Sequence, residues 1–367
     1  GAGRAVATTG LRRPGWRVAS QKVDAPLSRH RANPALAGAG QKGVTKRYAG
    51  QRAPSRESPR RIAWLARACL VAEVQTWPKP GLVSHIDQGS HTDMTIAQFV
   101  SSAHAITPFF AQLYEAGSIS APLSRLREIG LAAERAMMDA TGGINTHRGA
   151  IWALGLASAA AGRRATLGVP SACSDIRRQH WGAEILGTPP EEATHGGRMR
   201  RRHGAGGARI EAGWGFPTIR TVGVSALRQG RALRPGDPEA ARVQCCMALI
   251  ATLIDTNLLY RGGWKGLRFA QHHARHFLKN GGVGQEAWRQ KAAVIHSDFV
   301  KHRLSPGGAA DGLALSLFLD RLDPALPQQE ASRIADRINI QELDNGANSS
   351  DFSRPDLCGD DCGILRR

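Results

Sequence analysis

The sequence predicts an all-α protein: a single compact multi-helix domain with Gly-rich loops, preceded by a disordered basic extension. Three observations carry this. Apolar residues recur three and four positions apart from residue 58 to about residue 325, which is the spacing of one helix face. Strand-type alternation is hard to find. Ala and Gly are abundant while aromatics are 5% of the 367 residues. A chain of this length can bury a sizeable core. No apolar run reaches the length of a membrane span, so a cytoplasmic protein with no membrane partner is expected. The six cysteines, Cys69, Cys173, Cys245, Cys246, Cys358 and Cys362, lack framework spacing and fit free thiols in a reducing compartment.

The net charge of +19 suggests nucleic acid, but most of it sits in one place. Residues 1–61 hold 14 Lys or Arg against Asp24 and Glu57, so they supply twelve of the nineteen charges. That stretch is rich in Gly, Pro, Ala and Arg without apolar periodicity, and it reads as disordered. The remainder carries only +7, which is modest for a protein that handles phosphates. Three segments follow: a basic extension over 1–57, a helical catalytic domain over 58–325, and a polar tail over 326–367.

Ser58-Pro59 is a helix start, with Ser as N-cap and Pro at the first position. Ile62, Leu65, Cys69 and Ala72 give its apolar face, and Pro78 ends it. A rigid loop, Trp77-Pro-Lys-Pro-Gly-Leu-Val-Ser84, carries Lys79 and leads to His85, Asp87, His91 and Asp93. Thr95 and Gln98 form a capping box for a helix that Pro108 kinks and Gly117 ends. The next helix runs from about Pro122 to Asp139, and a small-residue helix, expected to be buried and central, from Arg148 to Ala161. Residues 187–209 are irregular and contain the basic cluster Arg198–Arg202, and Glu211–Pro217 reads as a packed turn. Asp237-Pro238 opens a helix that reaches Asp255, with Cys245 and Cys246 in its core face. Helices follow at about 264–279 and 285–301. Ser305-Pro-Gly-Gly308 opens the last one.

The chemistry gathers where glycines meet helix starts. Gly142 and Gly143 permit backbone angles that side chains forbid. They precede Asn145, Thr146, His147 and Arg148 at a start whose free N–H groups favour an anion. Asp255-Thr-Asn-Leu-Leu-Tyr-Arg-Gly-Gly263 again combines an acid, the amide of Asn257, the cation of Arg261 and the pair Gly262 and Gly263. Ser305, Gly307 and Gly308 make a second phosphate-type start, with Asp311 one turn inside. Together these suggest one polyphosphate site with acids available for magnesium. Residue types and spacing alone do not name a reaction.

At these residues the chain resembles the triphosphoribosyl-dephospho-CoA synthases. The matching stretches are Lys79-Pro-Gly-Leu-Val-Ser, Gly89-Ser-His-Thr-Asp-Met94, Ala140-Thr-Gly-Gly-Ile-Asn-Thr-His-Arg-Gly149, Gly206-Gly-Ala-Arg-Ile-Glu-Ala212 with Gly215-Phe-Pro217, Asp255 to Gly263, and Leu304-Ser-Pro-Gly-Gly-Ala-Ala-Asp311. They lie in family order over about residues 60–322. The Gly-Ala-Arg-x-Glu-Ala and Asp-Thr-Asn-Leu forms resemble the malonate decarboxylase branch more than the citrate lyase branch. Trp77 and Gly312 depart from the family pattern, and Gly312 is expected to loosen its helix start.

The resemblance implies an all-helical transferase that joins ATP to 3′-dephospho-CoA and releases adenine. The product, 2′-(5″-triphosphoribosyl)-3′-dephospho-CoA, is passed on towards an acyl carrier protein subunit. Under this reading Lys79, Arg148, Arg261 and the Ser305–Gly308 start hold phosphates. Asp87, Asp93 and Glu134 carry Mg2+. His147, Asp255 and Asp311, with Glu134, serve acid–base work and cation stabilisation, and Asn145 and Asn257 orient ribose or base. A homodimer is allowed. The alternatives are the same reaction serving citrate lyase, a magnesium-dependent nucleotide or ADP-ribosyl hydrolase, and a nucleic-acid-binding protein acting through its N-terminus.

Overall fold

The computed structural model describes residues 57–188, 197–199, 202 and 206–323. The extension before residue 57, the tail from residue 324 and residues 200 and 201 of the basic cluster lie outside the described residues. Among the described residues all regular structure is helical.

Local signals place the first elements. Helix α1 (Pro59–Val74) starts on Ser58, whose Oγ accepts from the Arg61 N–H at 3.3 Å. Helix α2 (Ile96–Ser118) starts with both halves of the Thr95/Gln98 capping box formed. It runs through Pro108 without ending. Helix α3 (Leu123–Thr141) closes on Gly142 at φ 67°, and Gly143 at φ 89° turns the chain into α4 (Arg148–Leu167). A Cβ at either glycine would meet nothing within 4 Å. The left-handed backbone angle, not crowding, therefore requires glycine at both positions.

Helix α4 is the buried centre, packed by α2, α3, α5 and α11. It is six residues longer than the sequence suggested, because Gly162 is a packing residue rather than a stop. A Cβ on Gly162 would lie 1.9 Å from the Tyr114 carbonyl, and one on Gly117 1.9 Å from the Ala159 carbonyl. Helices α2 and α4 thus touch backbone to backbone, and α4 ends at Gly168, at φ 64°.

Helix α5 (Cys173–Gly187) falls in a stretch with no sequence-based assignment, and the short α6 (Gly207–Gly213) lies where a loop was expected. After the turn at Trp214–Pro217, a π-helical segment (Ile219–Gly223) runs directly into α7 (Val224–Leu233). Helix α8 (Pro238–Thr252) begins on the Asp237 carboxylate, which accepts from Glu239 and Ala240. It stops three residues before Asp255. Helix α9 (Thr256–Lys279) then starts at once, so the presumed Gly-Gly loop is helix, broken at Gly263 (φ 59°, ψ −161°). Helices α10 (Trp288–Lys301) and α11 (Gly307–Leu322) follow.

Helix α11 joins the two halves, packing on α1 and α4 on one side and on α7, α8 and α9 on the other. Gly312 fits this role rather than loosening the start. A Cβ there would sit 2.9 Å from Ile219 Cδ1 and 3.1 Å from Leu249 Cδ1. The four described cysteines are buried free thiols, as expected of small core residues. No single described helix is long and apolar enough to cross a membrane.

Candidate active site

A cleft of about 1440 Å³ opens where the starts of α4, α9 and α11 converge. A site for one drug-sized ligand spans roughly 300–1,000 Å³, so this one has room for two nucleotides.

Its floor is made by two carboxylates that each accept from the start of a helix remote in sequence. Asp255 is 3% exposed. Its Oδ1 accepts from the N–H groups of Asn257 (2.8 Å) and Leu258 (3.4 Å) at the start of α9, and its Oδ2 from Ala309 (3.0 Å) at the start of α11. The Gly308 N–H adds a fourth bond. Burial raises its pKa, and these four bonds oppose the rise. Free helix-start N–H groups and the helix dipole favour an anion, and here the protein supplies one. The Ser305–Gly308 start is therefore already filled at the amides where a phosphate was expected.

Asp311, one turn inside α11, reaches across to the start of α4. A Cβ on Gly149 would lie 2.0 Å from Asp311 Oδ2, so glycine there makes room for the carboxylate. Asp311 accepts from the Ala150 N–H. Burial, then the charges of Glu73 and Asp255, push its pKa well above the ordinary carboxylate value, with that one bond opposing.

Lys79 closes the floor. It is 1% exposed, and its Nζ pairs with the buried Glu73 of α1. Burial raises the Glu73 pKa, and Lys79 opposes the rise. Glu73 was absent from the sequence-based candidates because it lies in the last turn of α1 without a motif. His296 of α10 was also missed. Its Nδ1 lies 2.7 Å from the Lys79 carbonyl, fixing the loop that carries the lysine.

His147 stands beside this group, 3% exposed. Ser102 Oγ lies 2.7 Å from its Nδ1, and the Phe99 ring meets it edge-on at 5.1 Å. Its Nε2 is buried without a hydrogen-bond partner among the described residues, and the residue lines the cleft. Burial, then Lys79, depress its pKa to about 3. The imidazole is neutral at working pH and cannot serve as a cationic acid.

Two rims flank the floor. On one, Arg148 Nε donates to Glu134 at 2.9 Å, and Asn145 Oδ1 accepts from the Arg148 N–H at 3.1 Å. Gly143 and Thr146 line the cleft beside them. On the other, Arg261, His91, Asp93 and Ser305 meet, with Asn257, Gly307 and Gly308 alongside. A Cβ on Gly307 would be 2.6 Å from Asn257 Nδ2.

Several predicted residues have other places. Gly142, Gly262 and Gly263 are not on the lining; a Cβ on Gly262 would press on Leu304 at 2.8 Å. Asp87, Asp93 and Glu134 are not gathered into one metal site. Asp87 Oδ1 accepts from the Gly89 N–H at 2.9 Å and lies 3.2 Å from His296 Nε2, off the cleft lining. Glu134 faces Arg148 on the opposite rim from Asp93. The His/Asp spacing of residues 85–93 was misleading because that segment turns repeatedly. Among the described residues no group of three or more His, Cys, Asp or Glu is placed to hold a metal ion. Arg209 and Glu211 of the Gly-Ala-Arg-x-Glu-Ala stretch also brace the backbone. Arg209 Nη1 donates to the carbonyls of Ile185, Leu186 and Thr188 at the end of α5, and Glu211 accepts from Thr218.

Comparison with known proteins shows the family of the chain. Residues 59–329 match the model of the family described as CitG: ATP:dephospho-CoA triphosphoribosyl transferase. A protein of Azotobacter vinelandii named "Probable 2-(5''-triphosphoribosyl)-3'-dephosphocoenzyme-A synthase" is 40% identical over 271 residues, covering 72% of this chain and 92% of the relative. One of the same name from Acinetobacter calcoaceticus is 39% identical over 72% of this chain and 91% of its own length. A 2-(5''-triphosphoribosyl)-3'-dephosphocoenzyme-A synthase of Klebsiella pneumoniae is 39% identical over 68% and 87%. No solved structure matches. The chain is a transferase and belongs to the ATP:dephospho-CoA triphosphoribosyl transferase family.

Proposed function

We propose that the cleft binds MgATP and 3′-dephospho-CoA together and transfers the triphosphoribosyl group to the ribose 2′-hydroxyl of dephospho-CoA. The bond from ribose C1 to adenine N9 breaks, a bond from C1 to the 2′-oxygen forms, and adenine leaves. The observation that carries this reading is Asp311. It is a carboxyl held by one backbone N–H on the floor of a two-nucleotide cleft, with Glu73 and Asp255 beside it.

Burial, then the charges of Glu73 and Asp255, favour the protonated form of Asp311, and in this reading it gives its proton to departing adenine. Displacement at an anomeric centre passes through an oxocarbenium-like state, which nearby carboxylates stabilise. Glu73, kept as a carboxylate by its pair with Lys79, would be such a group. His147 Nε2 accepts a hydrogen bond from the incoming hydroxyl. Once the hydroxyl has added to the cationic carbon, its oxygen is far more acidic than an imidazolium of pKa about 3. A weak neutral base then suffices to take the proton. Arg148, Arg261 and Ser305 hold phosphates at the two rims, and Asn145 and Asn257 orient ribose or base. Asp255 acts as the joint that sets α9 and α11 around the reacting carbon. Magnesium enters as part of the nucleotide substrate, and no step is assigned to it.

The test is adenine release from MgATP with and without 3′-dephospho-CoA, followed by the mass of the product. Adenine released only with dephospho-CoA, with a triphosphoribosyl adduct, supports the transferase. Release regardless of dephospho-CoA would support a hydrolase instead. The Gly206–Ala212 and Asp255–Leu258 forms favour a product destined for the acyl carrier subunit of malonate decarboxylase. Deleting the gene in its host then abolishes malonate decarboxylation, whereas loss of citrate cleavage would assign it to citrate lyase.

A further inference from the structure

We propose that His91 is a positioning residue that turns the Ser305 hydroxyl into an obligatory hydrogen-bond donor to a substrate phosphate. The inference rests on the function proposed above and extends it to a residue outside the predicted site.

The argument is an accounting of protons. A guanidinium has N–H donors and no acceptor. Arg261 Nη2 lies 3.2 Å from His91 Nδ1, so Nδ1 must offer its lone pair. A neutral imidazole then carries its one proton on Nε2. That nitrogen is 2.8 Å from Ser305 Oγ, so Ser305 accepts from His91. The serine's own O–H must point elsewhere. Among the described residues its side chain has no further partner, and Ser305 is 3% exposed at the cleft lining.

Arg261 cannot swing away to relax this order. Its Nη1 donates to the carbonyls of Ser90 (3.2 Å) and Arg303 (3.1 Å). Asp93 Oδ1 stands 3.7 Å from His91 Nδ1, beyond hydrogen-bond length. The neighbouring amides offer nothing to a ligand. Gly307 N–H bonds the Ser305 carbonyl, Gly308 and Ala309 bond Asp255, and Ala310 bonds the Pro306 carbonyl. The hydroxyl is therefore the donor that the start of α11 still presents. Set beside a fixed guanidinium, it suits a phosphate oxygen. That oxygen belongs either to the ATP triphosphate or to the pyrophosphate of dephospho-CoA.

The experiment measures kcat and the KM for each substrate in His91→Phe, His91→Gln, Ser305→Ala and the His91→Phe/Ser305→Ala double variant. Thermal unfolding checks that each folds. Losing one hydrogen bond to a charged oxygen is expected to raise one KM by about tenfold or more, with a smaller change in kcat; the substrate whose KM moves identifies the phosphate. His91→Gln should recover most of the loss, since an amide oxygen can accept from Arg261 while its NH2 donates to Ser305. The double variant should be no worse than Ser305→Ala, because both remove one interaction. Unchanged KM values, a glutamine as poor as phenylalanine, or additive losses would each overturn the proposal. Calorimetric binding of inorganic triphosphate to the wild type and Ser305→Ala separates the two readings. If the wild type shows no adenine release dependent on dephospho-CoA, the proposed reaction fails. Triphosphate affinity unchanged by Ser305→Ala, together with unchanged KM values for dephospho-CoA, sinks this inference alone.

Discussion

Asp255 and Asp311 are two carboxylates on one cleft floor, each capping a helix start, yet they differ in how completely the protein answers their charge. Asp255 receives four backbone N–H groups from two helices. Asp311 receives one, from Ala150, and faces Glu73 and Asp255. Hydrogen bonds to the ionised form lower a carboxyl pKa, while burial and like charges raise it. One floor thus holds a carboxylate built for structure and a carboxyl left short of partners, poised to carry a proton. The contrast teaches that a motif acid need not be a reacting acid; its partners decide.

The largest effect is expected from Asp311→Asn. An amide can still accept from Ala150 but has no proton to give to adenine. General acid–base groups contribute about 10²–10⁴-fold, so kcat for adenine release should fall by that order while thermal stability stays level or rises. Full turnover in this variant would remove Asp311 from the mechanism and end the contrast.

Asp255→Asn should do the reverse. Its NH2 must face at least one of the N–H groups that now donate to the carboxylate, leaving a buried donor unpaired. Such a loss costs about 1–3 kcal/mol, and the unfolding midpoint should drop by several degrees. Activity should fall with the geometry of α9 and α11, not through a missing proton. Unchanged stability would show that the four bonds do not hold the joint.

The parts of this floor differ in how far the sequence disclosed them. Ser58-Pro59, Thr95 with Gln98, and Asp237-Pro238 were readable because each cap and its partner lie within three residues. The pairing of Asp255 with Ala309 spans 54 residues, and Glu73 sits beside Asp311 only in the fold. The family motifs marked Asp255 and Asp311 alike, with nothing to tell their partners apart. The part of α4 beyond Ala161 escaped because Gly162 is recognisable as a packing glycine only with the neighbouring helix in place. Helix α5 escaped because its buried positions include Arg177 and Gly182 among the apolar Ile176, Trp181 and Ile185, which blurs the periodicity.

A subtler effect is expected in the pH dependence of stability. The folded-state pKa of Asp311 is raised above its unfolded value of about 3.9. Its contribution is therefore fully present below that pH and is lost as pH rises through the folded value. Asp311→Asn has no such loss. Its unfolding midpoint should gain on that of the wild type as pH rises from about 4 to neutrality. A constant difference over that window would mean that Asp311 ionises as freely in the fold as outside it.

The smallest effect is expected at a third buried charge. Arg177 of α5 is 0% exposed, and its three guanidinium nitrogens have no hydrogen-bond partner among the described residues. Its favourable contact is stacking over the Phe216 ring, 4.3 Å from the centroid, in the turn that lines the cleft. Burial lowers its pKa to about 9, and Glu211 opposes the fall. An unpaired buried charge is costly, and apolar side chains of similar size often replace buried ions without loss. Methionine keeps most of the packing on Phe216 and gives up a cation–π term of about 0.5–2 kcal/mol, while it removes the desolvation cost. The two offset, so Arg177→Met should leave the unfolding midpoint nearly unchanged or slightly higher, with the KM of neither substrate moved. A clear fall in stability would show that the guanidinium is answered as fully as Asp255, by residues beyond those described, and would move Arg177 to the structural side of the comparison.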